Sequence, residues 1–138
     1  MSWMPCCCGN QACCPGVVVP NTLTLTITSA CACVNATVTL TWGGANWQGT
    51  YSSTCGGIAS ESHTFALTCT GAPAWTLTVA ETFFGNPGGT PCGLAAMTYS
   101  VGSSTCSPLS LVFTGNTANV PGFAACSCGI IAVTYTIT

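Results

Sequence analysis

The sequence predicts an all-β protein: an antiparallel β-sandwich, jelly-roll or Ig-like, of about eight strands. Three observations predict it. From residue 17 onward, apolar residues recur mainly with a period of two. Turn-forming clusters separate the runs: Gly43-Gly44, Gly56-Gly57, Gly71-Ala72-Pro73, Asn86-Pro87-Gly88-Gly89 and Pro121-Gly122. Thirteen cysteines in 138 residues approach the density of a disulfide scaffold.

The strands follow in order. Residues 22–28 alternate strictly, with Leu23, Leu25 and Ile27 on one face and four Thr on the other. Val38, Leu40 and Trp42 repeat the pattern against Thr39 and Thr41. Weaker strands are expected at residues 47–53 and 97–101. Phe65, Leu67 and Cys69 alternate with polar or small residues, as do Trp75, Leu77 and Val79. Leu109, Leu111 and Phe113 form the next apolar face, and Ile131, Val133, Tyr135 and Ile137 form the last. No segment carries a capped helical period. Residues 1–16 do not alternate and read as an irregular, Cys-rich N-terminal arm. Residues 17–138 read as a single β-sandwich domain. One apolar face per strand suits two sheets packed across a common core.

Charge is nearly absent. The chain has no Lys or Arg, two acids (Glu61 and Glu81) and one His (His63), so 1% of its residues are charged. Ordinary soluble domains carry roughly 25%. Nucleic-acid binding is excluded, because nothing can neutralise phosphates. Membrane binding through a basic patch is excluded for the same reason. No apolar run is long enough for a transmembrane helix. Little charge remains to keep copies apart, and almost none to guard exposed strand edges. Other copies of the chain, or other structural proteins, are therefore the expected partners.

The cysteines fall into two sets. Cys31, Cys33, Cys55, Cys69, Cys92, Cys106, Cys126 and Cys128 lie in or beside strands, and their even number allows a self-contained set of bridges stapling the fold. Cys6, Cys7, Cys8, Cys13 and Cys14 form an odd N-terminal set and are candidates for assembly or cross-linking. The rival reading is metal: Cys31-Ala32-Cys33 and Cys126-Ser127-Cys128 would together supply four thiolates. Zinc sites usually use a C-x2-C spacing, and residues i and i+2 of a strand share a face anyway. The expectation is structural disulfides, with no metal and no cofactor. Such density belongs in an oxidising place, extracellular or in a virion. The N-terminus lacks the basic region and apolar stretch of a signal peptide, which points to export by another route.

Catalytic chemistry has little to work with. Glu61 and His63 can share one face of an extended segment, but no nucleophile elbow or phosphate loop accompanies them. Two acids are the minimum for a glycosidase, and nothing in the sequence places Glu61 near Glu81. The chain is expected not to be an enzyme. Trp47 and Tyr51 are candidates for stacking on sugars, whereas Trp42 and Trp75 are in phase with the core. The Thr runs lack the fixed repeat of an ice-binding solenoid. Asn35-Ala36-Thr37 matches a glycosylation sequon.

Several motifs occur together. Cys13-Cys14-Pro15 precedes the Thr-rich strand, followed by Cys31-Ala32-Cys33, Trp47-Gln48-Gly49, Cys55-Gly56-Gly57, Leu67-Thr68-Cys69 and Trp75-Thr76-Leu77. Cys106-Ser107-Pro108 and Cys126-Ser127-Cys128-Gly129 follow toward the end. This pattern resembles Cys-rich, Thr-rich all-β proteins of environmental bacteria and their phages, over most of the chain. The resemblance implies a common fold, transfers no catalytic residue, and leans toward virion or surface-filament components. The expected function is a non-enzymatic, disulfide-stabilised structural subunit that self-associates in a filament, a sheath, or a phage decoration or tail. The alternative is a secreted glycan-binding module.

Overall fold

A computed structural model describes residues 13–14, 16–29, 35–55, 59–69, 75–84, 91–116 and 132–138. For residues 53–55, 59–61, 81–84 and 91–96 it describes the backbone alone. The strands are β1 (Thr22–Ser29), β2 (Ala36–Trp42), β3 (Trp47–Cys55), β4 (Ala59–Cys69), β5 (Trp75–Phe84), β6 (Pro91–Ser100), β7 (Ser103–Cys106), β8 (Leu109–Asn116) and β9 (Ala132–Ile137). No helix occurs among the described residues. The class is all-β and antiparallel, as the period of two requires.

The arrangement departs from the two-sheet expectation. All nine strands belong to one sheet, in the order β6-β5-β4-β3-β2-β1-β9-β8-β7. Each pairs with its neighbour in the chain, except that β9 pairs with β1. β6 and β7 are consecutive in the chain yet lie at opposite edges of the sheet, joined only by Val101 and Gly102. The sheet must therefore curl until its edges meet, giving a half-barrel. The junction records the change of partner. The Val101 amide donates to Trp75 O on β5 at 3.3 Å, and the Gly102 amide donates to Val112 O on β8 at 2.8 Å. Alternation cannot distinguish two facing sheets from one sheet curled on itself, since both bury one face of every strand.

The alternation itself is realised. Along β1 the Thr positions are exposed, and Leu23, Leu25 and Ile27 are buried. The inward residues of β1, β2, β4, β5, β8 and β9 fill the curl with Leu, Val, Ile, Phe, Tyr and Trp. Tyr99 closes the seam between the finish of β6 and the finish of β8. Its hydroxyl donates to Asn116 O at 2.9 Å, and its ring packs 5.2 Å from that of Tyr135.

Strand direction gives the curl two ends. The lower end holds the start of β1, β3, β5 and β8 and the finish of β2, β4, β7 and β9. A strap, residues 13–14 and 16–21, crosses this end. Cys13 is bonded to Cys69 at the end of β4, and Cys14 to Cys106 at the end of β7. Those strands are far apart in the sheet order, so two adjacent cysteines clasp opposite walls. Further along the strap, Pro20 O accepts from Trp47 Nε1 at 2.9 Å and Asn21 O accepts from the Trp42 amide at 2.7 Å. Within the strap, Cys13, Cys14 and Val19 are buried.

These bridges correct the division of the cysteines. Cys13 and Cys14 are core residues bonded within the chain and are unavailable for linking copies. Cys69 and Cys106 form disulfides, but with the N-terminal set, so the strand cysteines are not self-contained. Proximity across the curl decides pairing, and sequence spacing does not reveal it. The core also reaches into the segment expected to be an irregular, Cys-rich arm. Cys6, Cys7, Cys8, Cys31, Cys33, Cys126 and Cys128 lie outside the described residues, and Cys55 and Cys92 are described by backbone only.

Candidate functional site

Sequence reasoning left Glu61, His63 and Glu81 as the whole acid–base inventory, with no reason to join the two acids. The register joins them. β4 pairs with β3 so that His63 opposes Tyr51 and Glu61 opposes Ser53. β4 pairs with β5 so that His63 opposes Glu81 and Glu61 opposes Phe83. Directly opposed residues project from the same face of an antiparallel pair. His63, Phe65 and Leu67 are buried and Thr64 is exposed, so the odd-numbered positions of β4 face inward. On β5, Trp75, Leu77 and Val79 are buried and Ala80 is exposed, so Glu81 also occupies an inward position.

The chain's three charged or acid–base residues thus occupy adjacent inward positions on two neighbouring strands. Glu61 and Glu81 stand diagonally, a relation that typically separates Cα atoms by roughly 7–8 Å. His63 stands beside both. It is 2% exposed. Its ring lies 5.7 Å from that of Tyr51 and is stacked 6.1 Å from that of Phe65. Phe65 in turn meets Tyr135 edge-on at 6.1 Å. The imidazole therefore sits within an aromatic wall, next to a row of carboxylate-bearing positions.

The i, i+2 spacing of Glu61 and His63 was the only sign of this row in the sequence. Glu81 belongs to it because the β4–β5 ladder runs without a shift from Ser60 to Trp75. Among the described residues, no group of three metal-ligating side chains occurs.

The aromatic candidates separate. Trp47 is fully buried, with its ring 4.4 Å from Trp42 and 5.8 Å from Trp75. Its face is not available to a sugar, which removes it from the glycan reading; the strap covers what would have been open. Tyr51 is half-buried and turned toward His63. At the sequon, Asn35 is tied to the end of β1. Its Oδ1 accepts from Ser29 N at 2.6 Å, and its Nδ2 donates to Ser29 O at 3.1 Å.

A second feature lies at the lower end. A cleft of about 390 Å³ opens between the strap and the β7–β8 turn, lined by Val17, Val18, Val19, Leu23, Pro108 and Leu109 among others. No Glu or His contributes to it.

The outer face is uniform. Thr22 opposes Thr41, Thr24 opposes Thr39 and Thr26 opposes Thr37 across β1 and β2. On the other side of β1, Thr26 opposes Thr136 and Thr28 opposes Thr134. Among the described residues, the one exposed large apolar side chain is Val18, on the strap.

The disulfides are compatible with an oxidising, extracellular location. No described helix is long and apolar enough to cross a membrane. No family model, no curated protein and no solved structure matches the chain.

Proposed function

We propose that the protein is a non-enzymatic structural subunit that associates with copies of itself in an extracellular or virion assembly. The observation that carries this reading is the outer face of β9, β1 and β2, a register of threonines without a charged residue. Each Thr offers a methyl group and a hydroxyl and favours extended backbone. Such a face meets a second copy without desolvating a charge, the step that usually opposes close packing of surfaces. The disulfide clasp supports service outside the cell, where a domain must persist without replacement. A filament, a sheath, and a phage decoration or tail component share these demands.

A cross-link between copies remains part of the proposal and rests on parity. Thirteen cysteines less the four in the described bridges leave nine, an odd number. At least one therefore has no partner within its own chain, and Cys6, Cys7 and Cys8 precede the clasp. The partners proposed are protein copies, with no nucleic acid and no membrane insertion.

The test is sedimentation of the oxidised protein over a wide concentration range, with negative-stain imaging of the heavy fractions. Ordered oligomers or fibres are expected. A monomer at millimolar concentration sinks the proposal. Gels run with and without reductant then separate covalent from non-covalent association.

A further inference from the structure

The two bridges of the clasp differ in how solvent reaches them. Cys14 is fully buried and Cys13 is 5% exposed, so the strap's own cysteines are shielded. Their partners on the walls, Cys69 and Cys106, are half-buried. Cys106 also lines the cleft of about 390 Å³ beside the strap, together with Val17, Val18, Val19, Pro108 and Leu109, whereas Cys69 does not. Clefts of roughly 300–1,000 Å³ admit small organic molecules.

We propose that the Cys14–Cys106 bridge is a thiol-operated latch: a small thiol enters the cleft, opens this bridge ahead of Cys13–Cys69, and frees β7 from the strap. A thiolate in the cleft meets Cys106 first, because Cys14 behind it is closed to solvent. Access to the attacked sulfur is one of the factors that set the rate of thiol–disulfide exchange. Exposed bridges are accordingly the labile ones, and enclosed bridges persist.

The exchange balances in two steps. The sulfur of the small thiolate bonds to Cys106 Sγ as the bond from Cys106 to Cys14 breaks. The electron pair of that bond leaves with Cys14, whose thiolate takes a proton from water. A second small thiolate then attacks the small thiol's sulfur in the mixed disulfide and releases Cys106 in the same way. Two small thiols are thereby oxidised to one disulfide, and the protein bridge is reduced to two thiols.

The ties that remain decide what moves. Cys13 stays bonded to Cys69 on β4, and Trp47 and Trp42 hold Pro20 and Asn21 from β3 and β2. β4, β3 and β2 are neighbours in the sheet, so these ties fix the strap to one wall. The Cys14–Cys106 bond ties it covalently to the other wall, at β7. β7 is a four-residue strand at the edge of the sheet, next to β8 alone. Opening the latch leaves the strap in place and lets β7 and the turn into β8 move away from it. The cleft then widens, and Val19, Leu23 and Leu109 along it meet solvent.

The inference is independent of the assembly reading, because it concerns the isolated chain. The experiment is partial reduction of the oxidised protein by 2-mercaptoethanol without denaturant. Free thiols are blocked beforehand with one alkylating reagent, and thiols released over time are captured with a second and assigned by peptide mass. Cys14 and Cys106 are expected to carry the second label while Cys13 and Cys69 are still bonded. Opening of Cys13–Cys69 first, or of both bridges together, overturns the proposal. Val18 lines the cleft and is 72% exposed, so it can be enlarged without disturbing the core. Val18→Trp narrows the entrance and is expected to slow opening of Cys14–Cys106 several-fold, with Cys13–Cys69 unaffected. An unchanged rate refutes entry through the cleft. Hydrogen exchange on the partly reduced protein reads the motion: amides of β7 and its turn exchange faster, and those of β2 to β4 keep their protection. Loss of protection in every strand means that the bridge staples the whole fold, and it overturns the latch.

Discussion

At Gly115 a hydrogen stands where any other residue would place carbon. A Cβ there would lie 2.8 Å from Cε1 and 3.0 Å from Cδ1 of Tyr99. That ring cannot step aside freely, since Tyr99 is buried and its hydroxyl is bonded to Asn116 O. Gly115→Ala is therefore expected to cost about 1–3 kcal/mol, the usual range for overpacking. Tyr99→Phe removes the hydrogen bond and is expected to cost about 1 kcal/mol. Combined, the two should cost less than their sum, because the first already disturbs what the second deletes. Urea denaturation of the four proteins measures this, and strict additivity would show that Tyr99 does not close the seam through Gly115. Gly49 is less forgiving. A Cβ there would meet the backbone carbonyl oxygen of Thr39 at 2.6 Å and Leu40 Cδ2 at 2.9 Å. Gly49→Ala must displace a neighbouring strand, so its loss of stability should exceed that of Gly115→Ala in the same assay. Gly115 drew no notice in the sequence, and Gly49 only as part of Trp47-Gln48-Gly49. A close approach across strands depends on register, and composition does not encode it.

Strands with an apolar face were legible because a half-buried strand must alternate, whatever it pairs with. β1, β2, β4, β5, β8 and β9 all follow that rule. β7 was not legible, because Ser103, Ser104 and Thr105 are all exposed and the element exists only to continue β6 onto β8. The path of the strap was not legible either. Residues 13–21 contain no period, and irregular segments usually lie outside, yet two adjacent cysteines anchor this one across the lower end. The bridges enclose sequence separations of 56 and 92 residues. In the chain-entropy account, either one alone restricts the unfolded state by about 4 kcal/mol. The variant lacking Cys14 and Cys106, both as Ala, is thus expected to lose about 4 kcal/mol or somewhat less, and the variant lacking Cys13 and Cys69 a similar amount. Removing all four should cost somewhat less than the sum of the two, since either bridge shortens the loop that the other closes. Non-reducing denaturation tests it, and full additivity would mean that the clasp acts as two separate ties. The acid–base row was half legible on the same terms: Glu61 and His63 share a face by spacing alone, whereas Glu81 joins them only through the β4–β5 ladder.

For the whole molecule, the sequence revealed which faces are buried but not how the sheet closes. Every strand has one wet and one dry face in a sandwich and in a curl alike, so the choice rests on the pairing of β9 with β1 and on the junction from β6 to β7. What the sequence did specify at this scale is electrostatic, and it leads to a separate prediction. Proteins that associate through Lys, Arg and carboxylates lose affinity as salt rises, because ions screen exposed pairs beyond a Debye length of about 10 Å at 0.1 M. This chain has no Lys or Arg, and its two acids occupy inward positions of the curl. Contact between its outer faces therefore rests on Thr methyl groups, hydroxyls and backbone, which monovalent salt scarcely alters. Sulfate, being excluded from protein surface, strengthens burial of any kind. The expected result is association that is unchanged, within about twofold, between low and 0.5 M sodium chloride, and that increases in sulfate at equal ionic strength. Sedimentation equilibrium in the two salts is the measurement. If sodium chloride weakens association several-fold, the contact is electrostatic. It then cannot be made by the threonine face alone.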